Sequence, residues 1–203
     1  RRQRQMCIRD SVGGYTRAVI DRRNRFSLET RNLKMEKELV IVPASESDIP
    51  EIRLMARETF YPTYRDILLP EQLDYMYEWM YSEESLLQQM RTGHRFFIAR
   101  DGSGNGVGYV SIEQQGERSV HLQKIYVRPD KQKLHVGRSL MEKAFDEAKK
   151  LFPDGHGRVE LNVNRKNPAL SFYRHMGMTI ASSGDFEIGN GYFMNDYIMA
   201  IDF

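Results

Sequence analysis

Between Val120 and Val163 the chain sets two strand-like runs, Val120–Val127 and Val159–Val163, on either side of one long amphipathic stretch, Val136–Leu151. In that stretch Leu140, Met141, Ala144, Phe145, Ala148 and Leu151 recur at helical spacing as one apolar stripe; Glu142, Lys143, Glu147 and Lys150 lie opposite and predict a solvated face. A strand returned to its sheet through a helix runs parallel to its predecessor, with a right-handed crossover. The link is Ile125-Tyr126-Val127-Arg128-Pro129-Asp130-Lys131-Gln132-Lys133-Leu134-His135-Val136-Gly137, a strand that passes through a short basic loop into a helix start. Such a junction aligns backbone N–H groups with a helix N-terminus, a cluster that suits a pyrophosphate.

The same alternation extends in both directions. Leu39–Val42 predicts a first strand, and Ser47 or Asp48 is placed to cap a helix with Pro50 and Glu51 in its first turn. Ile49, Ile52, Met55, Phe60 and Tyr64 give that helix one buried face, and Pro62 is expected to bend or end it. Pro70–Tyr81 and Ser82–Met90 read as further helices, and Arg95–Ala99 with Val107–Glu113 as a hairpin around the Gly-rich turn 101–106. Asn167 and Pro168 stand in cap and first-position order for a short helix, with Gly177 placed for a left-handed end. Gly189-Asn190-Gly191, between Phe186–Ile188 and Tyr192–Ala200, signals a last hairpin. The fold class implied is mixed α/β (α+β): a central, mostly antiparallel sheet flanked by helices, becoming parallel at the strand–loop–helix junction.

A chain of 203 residues suffices for one good core, so a single domain over 37–203 is expected. Residues 1–34 stand apart, crowded with Arg and without sustained periodicity. Met35-Glu36-Lys37 reads as a natural start, and 1–34 as a non-native or disordered extension whose stretch Gln5–Ser11 resembles translated adapter sequence. The competing reading is a basic arm for nucleic acid or lipid. The formal net charge of +2 gives no global reason for a nucleic-acid partner, and no run of about 18 apolar residues suggests a membrane partner. A lone Cys7 excludes an internal disulfide; with no zinc-like Cys and His spacing, no metal is expected and a cytoplasmic setting is the default.

Taken with this order of elements, two motifs resemble the GCN5-related N-acetyltransferase (GNAT) family over roughly Lys37 to Phe203. Gln132-Lys133-Leu134-His135-Val136-Gly137 falls on the family's cofactor-loop pattern of Gln or Arg, two residues, Gly, one residue, then Gly or Ala. The last Gly matches. His135 stands where the first is expected, a position at which Gly permits positive φ and close approach to phosphates. The second motif is Asn167-Pro168-Ala169-Leu170-Ser171-Phe172-Tyr173-Arg174-His175-Met176-Gly177. The resemblance implies the GNAT fold and an acyltransferase that uses acetyl-CoA as co-substrate. It places Ile125, Tyr126, Val127, Gln132, Lys133, Leu134, His135, Val136, Gly137 and Arg138 at the cofactor, Asn167 on the pantetheine arm, and Tyr173 near the sulfur.

Transfer of an acetyl group to nitrogen needs a deprotonated amine beside a thioester, a place for the oxyanion and a proton for the departing thiolate. Tyr173 is the acid candidate, with core packing as its alternative role. His121 is the base candidate, because related enzymes often carry Glu or His near this strand position and imidazole titrates near neutrality. Glu160 and Glu113 are alternatives. Around the loop Lys131, Lys133, Arg138 and Arg174 add positive charge, although the backbone carries the phosphate argument. Glu58-Thr59-Phe60-Tyr61-Pro62-Thr63-Tyr64 and Asn195-Asp196-Tyr197-Ile198-Met199 resemble the bacterial spermidine/spermine branch; Glu58, Tyr64, Glu78, Glu84 and Asp196 are candidates to receive a cationic amine, with core packing as the alternative for Phe60, Tyr64 and Trp79 at helical spacing. The acceptor is thus a small-molecule amine, a polyamine, an aminoglycoside-type amine or a protein N-terminus; a homodimer is compatible. A domain that binds acyl-CoA only as a sensor is the non-catalytic alternative, prompted by His135.

Overall fold

The computed structural model describes residues 39–132 and 134–203. The Arg-rich segment 1–34 with Cys7, the start at Met35 and the loop residue Lys133 lie outside the described residues. Seven strands form one sheet: β1 (Val40–Pro43), β2 (Arg95–Arg100), β3 (Gly106–Gln114), β4 (Ser119–Val127), β5 (Arg158–Asn164), β6 (Thr179–Gly189) and β7 (Tyr192–Asp202). Their spatial order is β1-β2-β3-β4-β5-β7-β6, and every neighbouring pair is antiparallel except β4 with β5.

Helices cover both faces. On one side α1 (Ile49–Tyr64), α2 (Pro70–Tyr81) and α3 (Glu83–Arg91) bury Ile52, Met55, Phe60, Tyr81 and Leu86 against Phe96, Ile98 and Tyr109 of the sheet. On the other, α4 (Val136–Lys149) and the short α5 (Leu170–His175) pack Leu140, Met141, Ala144 and Tyr173 against Val110, Ile112, Leu122, Leu161 and Met199. Close approach of α4 depends on Gly108, where a Cβ would stand 2.7 Å from the Tyr126 carbonyl and 3.1 Å from Leu140 Cδ1.

Local chemistry accounts for most element ends. Pro70 opens α2, and the Ser82 hydroxyl accepts the Ser85 N–H at 3.2 Å to cap α3. Asn190 and Gly191, at φ 54° and 75°, form the tight turn that joins β6 to β7. Four expectations need correction or refinement. Asp48 stands at the N-cap of α1 as expected, but its carboxylate does not cap that helix: it accepts the Ser45 N–H at 2.8 Å, and one 3-10 turn over Glu46–Asp48 precedes the helix. Pro62 does not end α1, which runs on to Tyr64; so near the end, Pro removes one backbone bond without breaking the helix. Glu147 is buried rather than solvated, holding Lys143 at 2.9 Å and Lys150 at 2.8 Å and pairing with Arg95 of β2. β6 also begins at Thr179, ahead of the expected Phe186, because its first half is an exposed edge with little apolar alternation to announce it.

Candidate active site

The parallel pair β4–β5 is joined only at Ser119–Arg158, Val120–Val159 and His121–Glu160. Beyond that point β4 follows β3 and β5 follows β7, so the two strands part and leave a wedge between their C-terminal halves. Strand edges in such a wedge keep unspent backbone donors and acceptors. A bulge shapes the β4 side: Ile112 lies opposite Leu122 and Ser111 opposite Lys124, leaving Gln123 as the extra residue. Val120 and Leu122 before the bulge, and Ile125 and Val127 after it, all face α4, whereas Tyr126 turns to the α1–α3 side.

At the wide end of the wedge stands the N-terminus of α4. His135 precedes it in the left-handed region, φ 60° and ψ 3°, with an exposed side chain. His135 therefore adopts the backbone a Gly would take, and the restriction expected of a side chain there is met by strain rather than by a different loop. Strain of this kind costs about 1 kcal/mol. The Ser139 N–H donates to the His135 carbonyl at 3.0 Å, and the amides one turn earlier are those that a helix start directs outward. Gly137 lets the helix start sit close to its neighbours: a Cβ there would reach Val127 Cγ2 at 3.6 Å and Phe172 Cζ at 3.7 Å. The loop is held by carboxylates, Arg128 to Glu58 at 3.0 Å and Lys131 to Asp101 at 3.6 Å, while Arg138 pairs with Glu142 at 2.9 Å. Arg174 is exposed.

Phenol groups from three elements gather across the wedge. Tyr173, from α5, is buried, and burial raises its pKa, with a smaller contribution from Tyr64, so the hydroxyl keeps its proton at any ordinary pH. Tyr64, at the end of α1, interacts with the side chains of Tyr126 and Asn167 and lies in the field of Asp196. Beneath them the Tyr109 hydroxyl donates to that of Tyr81 at 3.2 Å. Asn167 is buried and its Oδ1 accepts the Ala169 N–H at 2.9 Å, so capping and a place beside the phenols coexist in one residue.

His121 lies elsewhere, at the closed end of the wedge opposite Glu113 and Glu160. Burial lowers its pKa against the pull of both carboxylates, so the ring is a neutral proton acceptor near pH 7. Glu160 and Asn164 are four residues apart on β5, so His121 is offset from the phenol end by roughly 13 Å along the strands. The structure thus brings Tyr173, Asn167 and Tyr126 together, sets Ile125, Val127, Leu134, Val136 and Gly137 around the α4 entrance, and leaves His121 at a distance. Gln132 is exposed, its side chain donating to the Val127 carbonyl at 3.4 Å. The sequence reading passes over Lys124, which is buried among Tyr81, Phe96 and Gln89. A Lys inside the run Val-His-Leu-Gln-Lys-Ile-Tyr-Val was its only signal.

Residues 92–179, which span β2 to the start of β6 and so the whole wedge, match the family model described as acetyltransferase (GNAT) domain. The chain carries a GNAT acetyltransferase domain. Curated relatives agree along most of their length. An uncharacterized N-acetyltransferase of Lactobacillus delbrueckii subsp. lactis is 28% identical over 159 residues, which cover 74% of this chain and 90% of the relative. One from Mycobacterium tuberculosis is 27% identical over 154 residues, covering 75% and 96%. Among solved structures the acetyltransferase is similar to the PaiA N-acetyltransferase of Thermoplasma acidophilum in complex with coenzyme A, with TM-score 0.67, 23% identity, and 81% and 99% of the two chains covered. It is similar also to the spermidine/spermine N-acetyltransferase SpeG of Vibrio cholerae, with TM-score 0.57, 20% identity, and 82% and 93% covered. This acetyltransferase has, among its described residues, no helix long and apolar enough to cross a membrane and no group of three or more His, Cys, Asp or Glu arranged to hold a metal ion.

Proposed function

We propose that this acetyltransferase moves an acetyl group directly from acetyl-CoA to a primary amine. The observation that carries the reading is the wedge itself, which opens between β4 and β5 with the α4 N-terminus at its mouth and the Tyr173 hydroxyl within it. These features fit the co-substrate: a diphosphate suits the outward amides at the α4 start, with Leu134, Val136 and Gly137 nearest, and the amide-bearing pantetheine arm suits the freed edge of β4 at Ile125–Val127. PaiA, of the same fold, is known in complex with coenzyme A. Acetyl-CoA supplies an acyl thioester. Tyr173 donates its proton toward the sulfur as the C–S bond breaks and Asn167 orients the thioester arm; the amine proton is released into water as the N–C bond forms, and His121, roughly 13 Å along the strands, is reached only through a chain of several waters. The name of SpeG, together with the aromatic lining from Tyr64 and Tyr126, supports a small amine or polyamine as acceptor. The sensor alternative loses its motive, since His135 keeps the loop in the backbone a Gly would give.

The test is thiol release from acetyl-CoA with a panel of primary amines, alongside Tyr173→Phe. Loss of the hydroxyl is expected to lower kcat by about 10²-fold or more with acetyl-CoA affinity nearly unchanged. Equal kcat in the two proteins excludes Tyr173 as the acid; binding of acetyl-CoA without release for any amine restores the sensor.

A further inference from the structure

We propose that Asp196 is the seat of the acceptor's protonated primary amine, an inference that rests on the reading of the wedge as an acetyl-transfer site. Asp196 lies on β7 opposite Asn164 and is only 5% exposed. Its Oδ1 is buried and has no hydrogen-bond partner, and its Oδ2 has one long contact, from Asn162 Nδ2 at 3.5 Å. No ion pair is formed by this carboxylate among the described residues. Arg165 lies near enough to be felt, but its guanidinium is held by Asp185 at 2.7 Å and by the Gly184 carbonyl at 2.9 Å.

A buried carboxylate left this bare is costly, and the fold offsets the cost only in part. Burial accordingly raises the Asp196 pKa, with only partial relief from Asn162 and Arg165. A cation that arrives with the substrate supplies the missing partner. Strand alternation sets the direction: Met194, two residues before, packs in the core under α1–α3, whereas Tyr197 and Met199 point to the α4 side. Asp196 therefore looks into the same space as Tyr64, on which its charge acts, and Tyr64 in turn influences Tyr173. The remaining candidate carboxylates are differently placed, since Glu58 is committed to Arg128 and Glu78 and Glu84 are exposed. A primary ammonium, with three donors and a charge that suits phenol faces, fits this position better than a neutral or anionic acceptor.

The experiment compares the full chain with Asp196→Asn and, as a second variant, Asp196→Ser. Calorimetry with n-butylammonium in the presence of coenzyme A reads binding, and thiol release from acetyl-CoA reads turnover of n-butylamine against O-methylhydroxylamine, which is uncharged at neutral pH. Both variants are expected to weaken n-butylammonium binding at least tenfold, and to lower the ratio of kcat/KM for the charged over the uncharged acceptor at least tenfold, while the melting temperature holds or rises and coenzyme A affinity holds. Absence of n-butylammonium binding to the unsubstituted chain, binding unchanged in the variants, or an unchanged ratio overturns the seat. Tenfold weaker binding in the variants with no thiol release from any protein supports the seat while overturning the transferase reading.

Discussion

His135 shows how a single residue can depart from a motif and keep its geometry. Its φ of 60° is one that side chains resist, so His135→Gly is expected to stabilise the fold by about 0.5–1 kcal/mol while acetyl-CoA affinity is kept or improved, as urea unfolding and calorimetry would show. A loss of stability would mean that the imidazole makes a compensating contact. Lys124 is a second residue under load. Burial lowers its pKa to about 8, against an opposing pull from Glu113. Because the folded value lies below the unfolded one, the folded state binds fewer protons between pH 8 and about 10.5, and stability rises with pH across that window. The burden relieved is about 3 kcal/mol at most. Lys124→Met is therefore expected to remove the rise: unfolding free energies of the two proteins should converge from pH 7 toward pH 10 if the variant is the more stable, and parallel curves would show that Lys124 is charged in the fold. The burden at His135 was foreshadowed by the motif, which has Gly at that position; that at Lys124 was not. A buried Lys looks like any strand residue until neighbouring elements close around it.

At the scale of elements, α4 and β4 show where sequence pattern suffices and where it fails. The apolar stripe of α4 was plain in the sequence, and so was the parallel return to β5, because both follow from periodicity and connection length. The bulge at Gln123 was not, since either simple alternation through Val120–Val127 reads as a regular strand; only pairing with β3 reveals the extra residue. Glu147 was likewise unreadable, because its burial depends on Arg95 arriving from β2. Burial pushes the Glu147 carboxyl up, but hydrogen bonds from Lys143 and Lys150 and the charge of Arg95 bring it down to about 2. A carboxyl depressed on folding contributes stability above its unfolded pKa and loses it as pH falls toward 2. With Arg95 and Lys150 partly in solvent, the contribution is about 1–2 kcal/mol after screening. Glu147→Gln should cost that much at pH 7 in urea unfolding, and the gap should shrink by about half or more at pH 3; a gap that stays constant with pH would assign the loss to packing.

The sheet has two parts whose strands meet at few places. β1–β4 form one and β5–β7 the other; three residue pairs at the closed end of the wedge join them backbone to backbone, and the apolar core under α4 runs across both. α2 adds a brace on the far side, where Gln72 donates to the Phe193 carbonyl at 3.0 Å and the Tyr75 hydroxyl to that of Ile188 at 2.9 Å. The mixed sheet and the loop were legible because each is local or nearly so, whereas the meeting of Tyr64, Tyr126, Tyr173 and Asp196 needed α1 and β7 folded against the same wedge. A ligand that spans the wedge adds bonds across this sparse junction, so its binding energy should appear as cohesion between the two parts. At 100 times its Kd, acetyl-CoA adds about 2.7 kcal/mol, which corresponds to a rise of roughly 5–11 °C in melting temperature for a chain of this size. Hydrogen exchange should slow most at Gln123–Val127 and Leu161–Asn164, the two lips of the wedge, and least at the β1–β2 edge. An unchanged melting temperature in saturating acetyl-CoA, or slowing confined to the α4 entrance, would show that the parted strands do not hold the thioester arm.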